Sequence, residues 1–356
     1  MQTECLSIEN LACDFLTAWG IVYALGGVNL RLERGEFHGL VGESGCGKSV
    51  TSRAVLRLVD AKHTRLRGLV RFGGMDLLSL PEKEMRSIRG KRVSMIFQDP
   101  QNSLSPLETV GSQIEEAMSN HLDLGKTELR GRAAALLEKV GLHPDVAKQY
   151  PFELSGGMQQ RVMIAQAVSC NPELLIADEL TTALDLTIQA QVLSLLKDLQ
   201  KELSLTVLFI THNFALVAEY CDRASVMYAG RVVETAPARD IIESATHPYT
   251  RALINCIPRH VAETRPVVET RPVAEERPAA CGSGEKRTVL PVIPGAPPRL
   301  YAPITGCPFA PRCLLADNHC AETPKDKDLG GGRSVRCHHP AIRNEEISTN
   351  NATGEE

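Results

Sequence analysis

Gly42-Glu43-Ser44-Gly45-Cys46-Gly47-Lys48-Ser49 reads as glycine, four residues, then Gly-Lys-Ser, the spacing of a phosphate-binding loop. The run before it, Phe37 to Val41, is short and largely apolar, like a buried strand, and the run after it, Val50 to Val59, has helical spacing. Strand, glycine turn and helix in that order are the context such a loop needs, and a chance glycine-rich turn followed by Lys-Ser would lack it. The glycines let the backbone turn its N–H groups inward into an anion nest. The next helix directs its positive end at the same anion. In such a loop Lys48 reaches the β- and γ-phosphates and the Ser49 hydroxyl holds Mg²⁺.

Composition narrows the setting. A chain of 356 residues has room for two domains, or for one large domain with an appendage, and its 43% hydrophobic content supports a packed core. A net charge of −4 leaves no electrostatic footprint for nucleic acid. The N-terminus lacks a basic start followed by an apolar run, and no apolar stretch approaches the ~20 residues that span a bilayer. A membrane role therefore requires partners. Eleven cysteines, an odd number without an export signal, indicate a reducing compartment rather than a disulfide framework.

Along the chain, Leu6–Leu11 and Val28–Leu32 alternate apolar and polar residues as strands do, and Arg34-Gly35-Glu36 is the turn into the phosphate-loop strand. Between the two strands stands Trp19, the sole tryptophan, whose ring suits stacking on a nucleobase or a half-buried edge position; Tyr23 is the competing stacker. Strand patterns return at Gly68–Phe72 and Val93–Phe97, the latter ending in Gln98-Asp99-Pro100. Leu107–Met118, Thr127–Val140 and Gly157–Ser169 read as helices, an insert between strands of one sheet. Leu154-Ser155-Gly156-Gly157-Met158 opens the last of them and suits either an anion site or an ordinary cap on Ser155. Leu174–Ala177 is an apolar strand ending in Asp178 and Glu179, positions suited to a Mg²⁺ ligand and to a group that orients or deprotonates water. Asp185 precedes an amphipathic helix from Thr187 to Lys201, and Thr206–Thr211 is a buried strand ending at His212.

Taken in order, these residues resemble the nucleotide-binding subunit of ABC transporters over about residues 1–258. The implied fold is α/β, a phosphate-loop ATPase with a helical insert at about 101–171 and a small C-terminal cysteine-containing appendage. The resemblance assigns Trp19 and Gly42 to Val50 (Gly42, Glu43, Ser44, Gly45, Cys46, Gly47, Lys48, Ser49, Val50) to ATP, and Ser49, Gln98 and Asp178 to Mg²⁺. Glu179 would polarise the attacking water, with Gln98 and His212 as further catalytic groups. Ser155, Gly156, Gly157 and Asp185 would act on ATP held by the opposite subunit. Leu180 stands where the family usually has proline, and Asn213 where it often has aspartate; neither change removes a catalytic group.

His247-Pro248-Tyr249-Thr250 resembles the tail typical of ATPases of oligopeptide, dipeptide and nickel importers. Residues 259–290 carry Arg-Pro pairs at 265, 271 and 277, a composition that cannot bury a core and reads as a disordered linker. Residues 291–340 hold Cys307, Cys313, Cys320 and Cys337, with gaps of five, six and sixteen residues, and 341–356 read as a disordered polar tail. Four cysteines in so short a segment suit a metal centre more than disulfides. The spacing is wider than usual for structural zinc. The resemblance to peptide importers implies a [4Fe-4S] cluster, with zinc second and unligated thiols third.

The function so implied is ATP hydrolysis powering an importer of peptides or a related small solute. Its partners would be a second ATPase subunit, commonly a paralogue, two permease subunits and an extracytoplasmic binding protein, with no nucleic acid. Its place would be the cytoplasmic face of the inner membrane, as a peripheral subunit. The alternative is a soluble ABC ATPase acting on ribosomes or DNA, although such chains usually carry two cassettes or coiled-coil insertions. A regulatory subunit without turnover is a third reading, opposed by Glu179 and His212.

Overall fold

The computed structural model describes residues 4–98, 103–180, 184–257 and 292–341. The N-terminal strands are longer than the alternation predicts. β1 (Glu4–Thr17) and β2 (Gly20–Glu33) form a long antiparallel hairpin. Register shifts between Ile8 and Leu11 and between Cys13 and Asp14 interrupt its period-two pattern, because each bulge switches which side chains face the core. With β4 (Thr64–Phe72) and β5 (Met75–Asp76), the hairpin makes a four-stranded sheet in the order β2-β1-β4-β5.

A second sheet has eight strands. Its centre is β3 (Phe37–Val41), and α1 (Lys48–Val55) leaves the carboxyl end of that strand. After α2 (Glu82–Ile88) come β6 (Val93–Ile96), the helical insert, β7 (Leu174–Asp178), α6 (Leu186–Glu202), β8 (Thr206–Thr211), α7 (Phe214–Tyr220), β9 (Arg223–Tyr228) and β10 (Arg231–Pro237). Strands β9-β3-β8-β7-β6 are parallel neighbours, and β10 adds antiparallel to β9. β3, β7 and β8 are buried along their whole length, as strands covered on both faces must be. Alternation divides them between two cores. Leu175, Val207 and Phe209 pack under the helical layer with Ile114, Leu137 and Ile164. Leu174, Ile176, Leu208 and Ile210 pack with Leu6, Ile8, Val28 and Val55 under the hairpin and α1.

The insert consists of α3 (Val110–Ser119), α4 (Lys126–Lys139) and α5 (Gly156–Val168). The expected helices are all present, with shifted ends. Helix α3 begins at Val110 rather than Leu107 because the Thr109 side chain accepts the Ser112 N–H as its cap. Leu107, though apolar, is exposed.

After α8 (Ala238–Ser244) and α9 (Pro248–Asn255), the cysteine segment is part of the sheet. β11 (Lys327–Gly330) and β12 (Arg333–Val335) form a small hairpin, and β12 pairs with β10. Strands this short do not stand alone. Phe309 and Ile293 join Tyr228, Tyr249 and Val41 in a third core, where Phe309 lies 5.4 Å from the Tyr228 ring and 5.2 Å from the Tyr249 ring. The linker expected at 259–290 and the tail beyond Ala341 lie outside the described residues.

Candidate nucleotide site

The phosphate loop sits at the carboxyl edge of the central strand, where strand order places β8 beside β3 and β7 beside β8; crevices at this edge are where α/β sheets bind ligands. Gly45 and Gly47 adopt φ of 78° and 106°, the region glycine enters without strain. Gly42 has no space for a side chain, since a Cβ would lie 2.2 Å from the Met227 carbonyl oxygen. The Lys48 ammonium, on a buried residue, donates to the carbonyls of Gly42 (2.9 Å) and Glu43 (3.0 Å), so it lies along the inside of its own loop. Val50 follows in the first turn of α1, whose amide ends face the loop.

The end of β7 brings both acids to this loop. Asp178, the last residue of β7, accepts from Ser49 Oγ at 3.0 Å and from Ser52 Oγ at 3.4 Å. Burial raises the Asp178 pKa, the Ser49 hydrogen bond opposes that rise, and the neighbouring Glu179 charge adds to it. A divalent cation beside Ser49 and Asp178 would reverse this, and a hydroxyl with a carboxylate is a hard oxygen set suited to Mg²⁺. Ser52 was not singled out above, although it lies one helical turn from Ser49 on the same face of α1.

Glu179 has φ of 49°, a left-handed conformation rare outside glycine. Its N–H donates to the Ile210 carbonyl of β8 at 3.0 Å, so two strand ends hold it there. Its Oε2 accepts from Gln98 Nε2 at 2.8 Å, and His212 Nδ1 lies 3.7 Å from its Oε1. The ends of β6, β7 and β8 thus assemble Gln98, Glu179 and His212 into one constellation. Gln98, read above as a Mg²⁺ ligand, contacts Glu179 in this arrangement.

The remaining expected residues form a second group. Ser155 caps α5, accepting the Met158 N–H at 3.4 Å, and Asp185 caps α6, accepting the Thr187 and Ile188 N–H groups at 3.0 Å each. The two helix starts touch: a Cβ on Gly157 would come within 2.8 Å of Ile188 Cγ2. Ser155, Gly156 and Asp185 are exposed. Ala183, two residues before Asp185 and part of the same family motif, lies outside the described residues. Trp19 stands at the tip of the β1–β2 hairpin and is 93% exposed. Tyr23 is half-buried, and its N–H donates to the Leu300 carbonyl at 2.8 Å.

The four C-terminal cysteines converge. Cys320 and Cys337 are buried and Cys307 and Cys313 half-buried, and the Cys307 N–H donates to the Cys320 carbonyl at 2.9 Å. The Leu315 N–H approaches Cys313 Sγ at 3.4 Å and the His339 N–H approaches Cys337 Sγ at 3.3 Å. Burial raises the pKa of the Cys307, Cys313 and Cys337 thiols, Cys337 to about 11, and the neighbouring thiols push in the same direction. Asp317, Cys320 and His339 place ligand atoms within 4.8 Å of one another.

The family model of ABC transporters matches residues 25–182, and that of the oligopeptide/dipeptide transporter C-terminal region matches 233–284 and 282–320. The probable peptide ABC transporter ATP-binding protein y4tR of Sinorhizobium fredii is 44% identical over 338 residues, covering 93% of this chain and 94% of its own. The chain belongs to the ATP-binding subunits of ABC transporters, oligopeptide/dipeptide branch. As a member of that family it is an ATPase subunit, and the oligopeptide transport ATP-binding protein OppD of Escherichia coli is 41% identical across 94% of the chain and 93% of its own. The dimeric post-hydrolysis structure of the ATP-binding cassette MJ0796, bound to ADP and phosphate, superposes with a TM-score of 0.60 at 30% identity, covering 66% of this chain and 99% of that one. Among the described residues no helix is long and apolar enough to cross a membrane.

Proposed function

We propose that this chain hydrolyses ATP to power import of peptides or a related small solute, bound peripherally at the cytoplasmic face of the inner membrane. The observation that carries this is the convergence of the phosphate loop, the Ser49–Asp178 pair and the Gln98–Glu179–His212 constellation on one sheet edge, in a chain carrying the peptide-importer C-terminal region.

In this reading the amides of Gly42 to Val50 and the Lys48 ammonium bind the phosphates, and Trp19 stacks on the base. Ser49 and Asp178, with Gln98, hold Mg²⁺, which neutralises phosphate charge. Glu179 orients and deprotonates the attacking water, helped by the Gln98 amide, and His212 contacts the γ-phosphate. The exposed Ser155–Gly157 helix start and Asp185 complete the site of a second subunit, a paralogue or another copy, packed head to tail. The cassette spans 1–258, with its insert at 101–171, a linker at 259–290, the cysteine region at 291–340 and a tail at 341–356. A cavity of about 320 Å³ beside Phe97 and Gln166, where sheet and insert meet, is the surface offered to the two permease subunits. A binding protein outside the membrane would supply the solute.

Cys307, Cys313, Cys320 and Cys337 suit a [4Fe-4S] cluster: backbone N–H groups face two of the sulfurs, the hydrogen bonding that tunes such clusters. The Asp317–Cys320–His339 group favours zinc as the second reading.

Isolation of the tagged chain from detergent-solubilised membranes tests the function. Two integral membrane proteins should co-purify, and a solute-loaded binding protein should stimulate ATP turnover. Co-sedimentation with ribosomes or DNA, without membrane subunits, would establish the alternative.

A further inference from the structure

The phosphate loop is gripped from the far end of the chain. Arg312, 8% exposed and adjacent to Cys313, donates Nη1 to Glu43 Oε2 at 2.9 Å and Nη2 to Glu43 Oε1 at 3.2 Å. This is the two-pronged geometry in which guanidinium and carboxylate bind most strongly. The same guanidinium donates Nη1 to the Tyr228 hydroxyl at 3.3 Å and Nε to the Pro294 carbonyl at 2.9 Å. Glu43 is the second residue of the loop, and its backbone is held on both sides. Its N–H donates to the Tyr249 hydroxyl at 3.1 Å, and its carbonyl accepts the Lys48 ammonium at 3.0 Å. Pro297, Pro298 and Leu300 close over Glu43 to Cys46, leaving about 20 Å³ between them, room for about one water molecule.

We propose that Arg312 is a positioning residue for the ATP site. Through its fork on Glu43 the cysteine segment sets the shape of the phosphate loop, and with it the affinity for nucleotide. The proposal rests on the reading of Gly42 to Val50 as the ATP site. Arg312 acts through Glu43, whose carbonyl also receives Lys48. Lysine in its place keeps the charge and the buried stem but cannot make two parallel hydrogen bonds to one carboxylate.

Equilibrium binding of ATP with Mg²⁺ to the full chain, measured by calorimetry on wild type, R312K, E43Q and the double variant, tests this. Losing one charge-assisted contact should weaken binding about tenfold in each single variant. The double variant should be no weaker than either single one, because both remove the same contact. In the assembled transporter carrying R312K, KM for ATP should rise while kcat at saturation stays within about twofold, the signature of lost binding rather than lost chemistry. Unchanged affinity in R312K, additive losses in the double variant, or a fall in kcat with KM unchanged would each overturn the proposal. Should R312K fail to fold, E43Q, which removes charge without changing volume, decides by itself, and unchanged affinity there overturns the proposal. Absence of ATP binding by the wild-type chain would instead overturn the ATP site itself.

Discussion

Glu179→Gln separates chemistry from architecture at this site. Among its contacts, the carboxylate accepts a hydrogen bond from Gln98 Nε2 at 2.8 Å and faces His212 at 3.7 Å, with the histidine side chain 59% exposed. An amide of the same shape retains an oxygen for the Gln98 N–H, and a contact to so exposed a partner contributes less than about 1 kcal/mol. The backbone N–H bond to Ile210 is untouched, so the left-handed turn persists. The unfolding midpoint should therefore stay within a few degrees of wild type. Catalysis should not: removing a group that takes a proton from water costs about 10²–10⁴ in rate, or about 3–5 kcal/mol in the barrier. The assay is phosphate release by the assembled complex under saturating ATP, paired with retained ATP after rapid desalting. Turnover within threefold of wild type would refute the role of Glu179. A large loss of thermal stability would show that the carboxylate serves the fold.

Gly47→Ala should weaken ATP binding and cost about 1–2 kcal/mol of stability, because φ of 106° is unfavourable for alanine and the new methyl lies 2.8 Å from Leu25 Cδ2; urea unfolding and nucleotide titration measure both. His247, 1% exposed, has its pKa lowered by burial from 6.5 to about 4. Its neutral form is the one folded, so its stabilisation is complete above pH 6.5 and is lost as pH falls from 6.5 toward 4. Urea unfolding should show a loss of about 2 kcal/mol between pH 7 and pH 5 that His247→Asn abolishes; an equal slope in that variant would exclude His247. Anaerobically purified protein should be brown with iron bound, and Cys313→Ser should remove the iron. Stoichiometric zinc that survives Cys313→Ser and is lost with His339→Ala would instead place the metal at Asp317, Cys320 and His339.

Local pattern carried most of the proposed catalytic constellation. The loop from Gly42 to Ser49, the acids after Leu174–Ala177 and the histidine after Thr206–Thr211 each terminate an apolar run of strand length. A parallel sheet buried on both faces brings such termini to one edge whatever the loops between them do. The Ser155 cap was legible locally, since a cap acts within three residues, whereas the capping by Asp185 emerged only with the structure. The long hairpin was only half legible, because bulges near Ile8 and Cys13 break the alternation by which strands are recognised.

Three-dimensional packing decided what spacing along the chain cannot encode. The cysteine segment reads as a separate appendage, yet β12 completes the sheet beside β10, and Phe309 enters the core of Tyr228 and Tyr249. Nothing near Arg312 in sequence signals a partner 269 positions away, and nothing near Glu43 announces a buried cation. Periodicity reports which face of one element is apolar. Which distant charge meets that element depends on how whole layers stack, and here that stacking placed the C-terminal cysteine segment against the loop from which the fold was read.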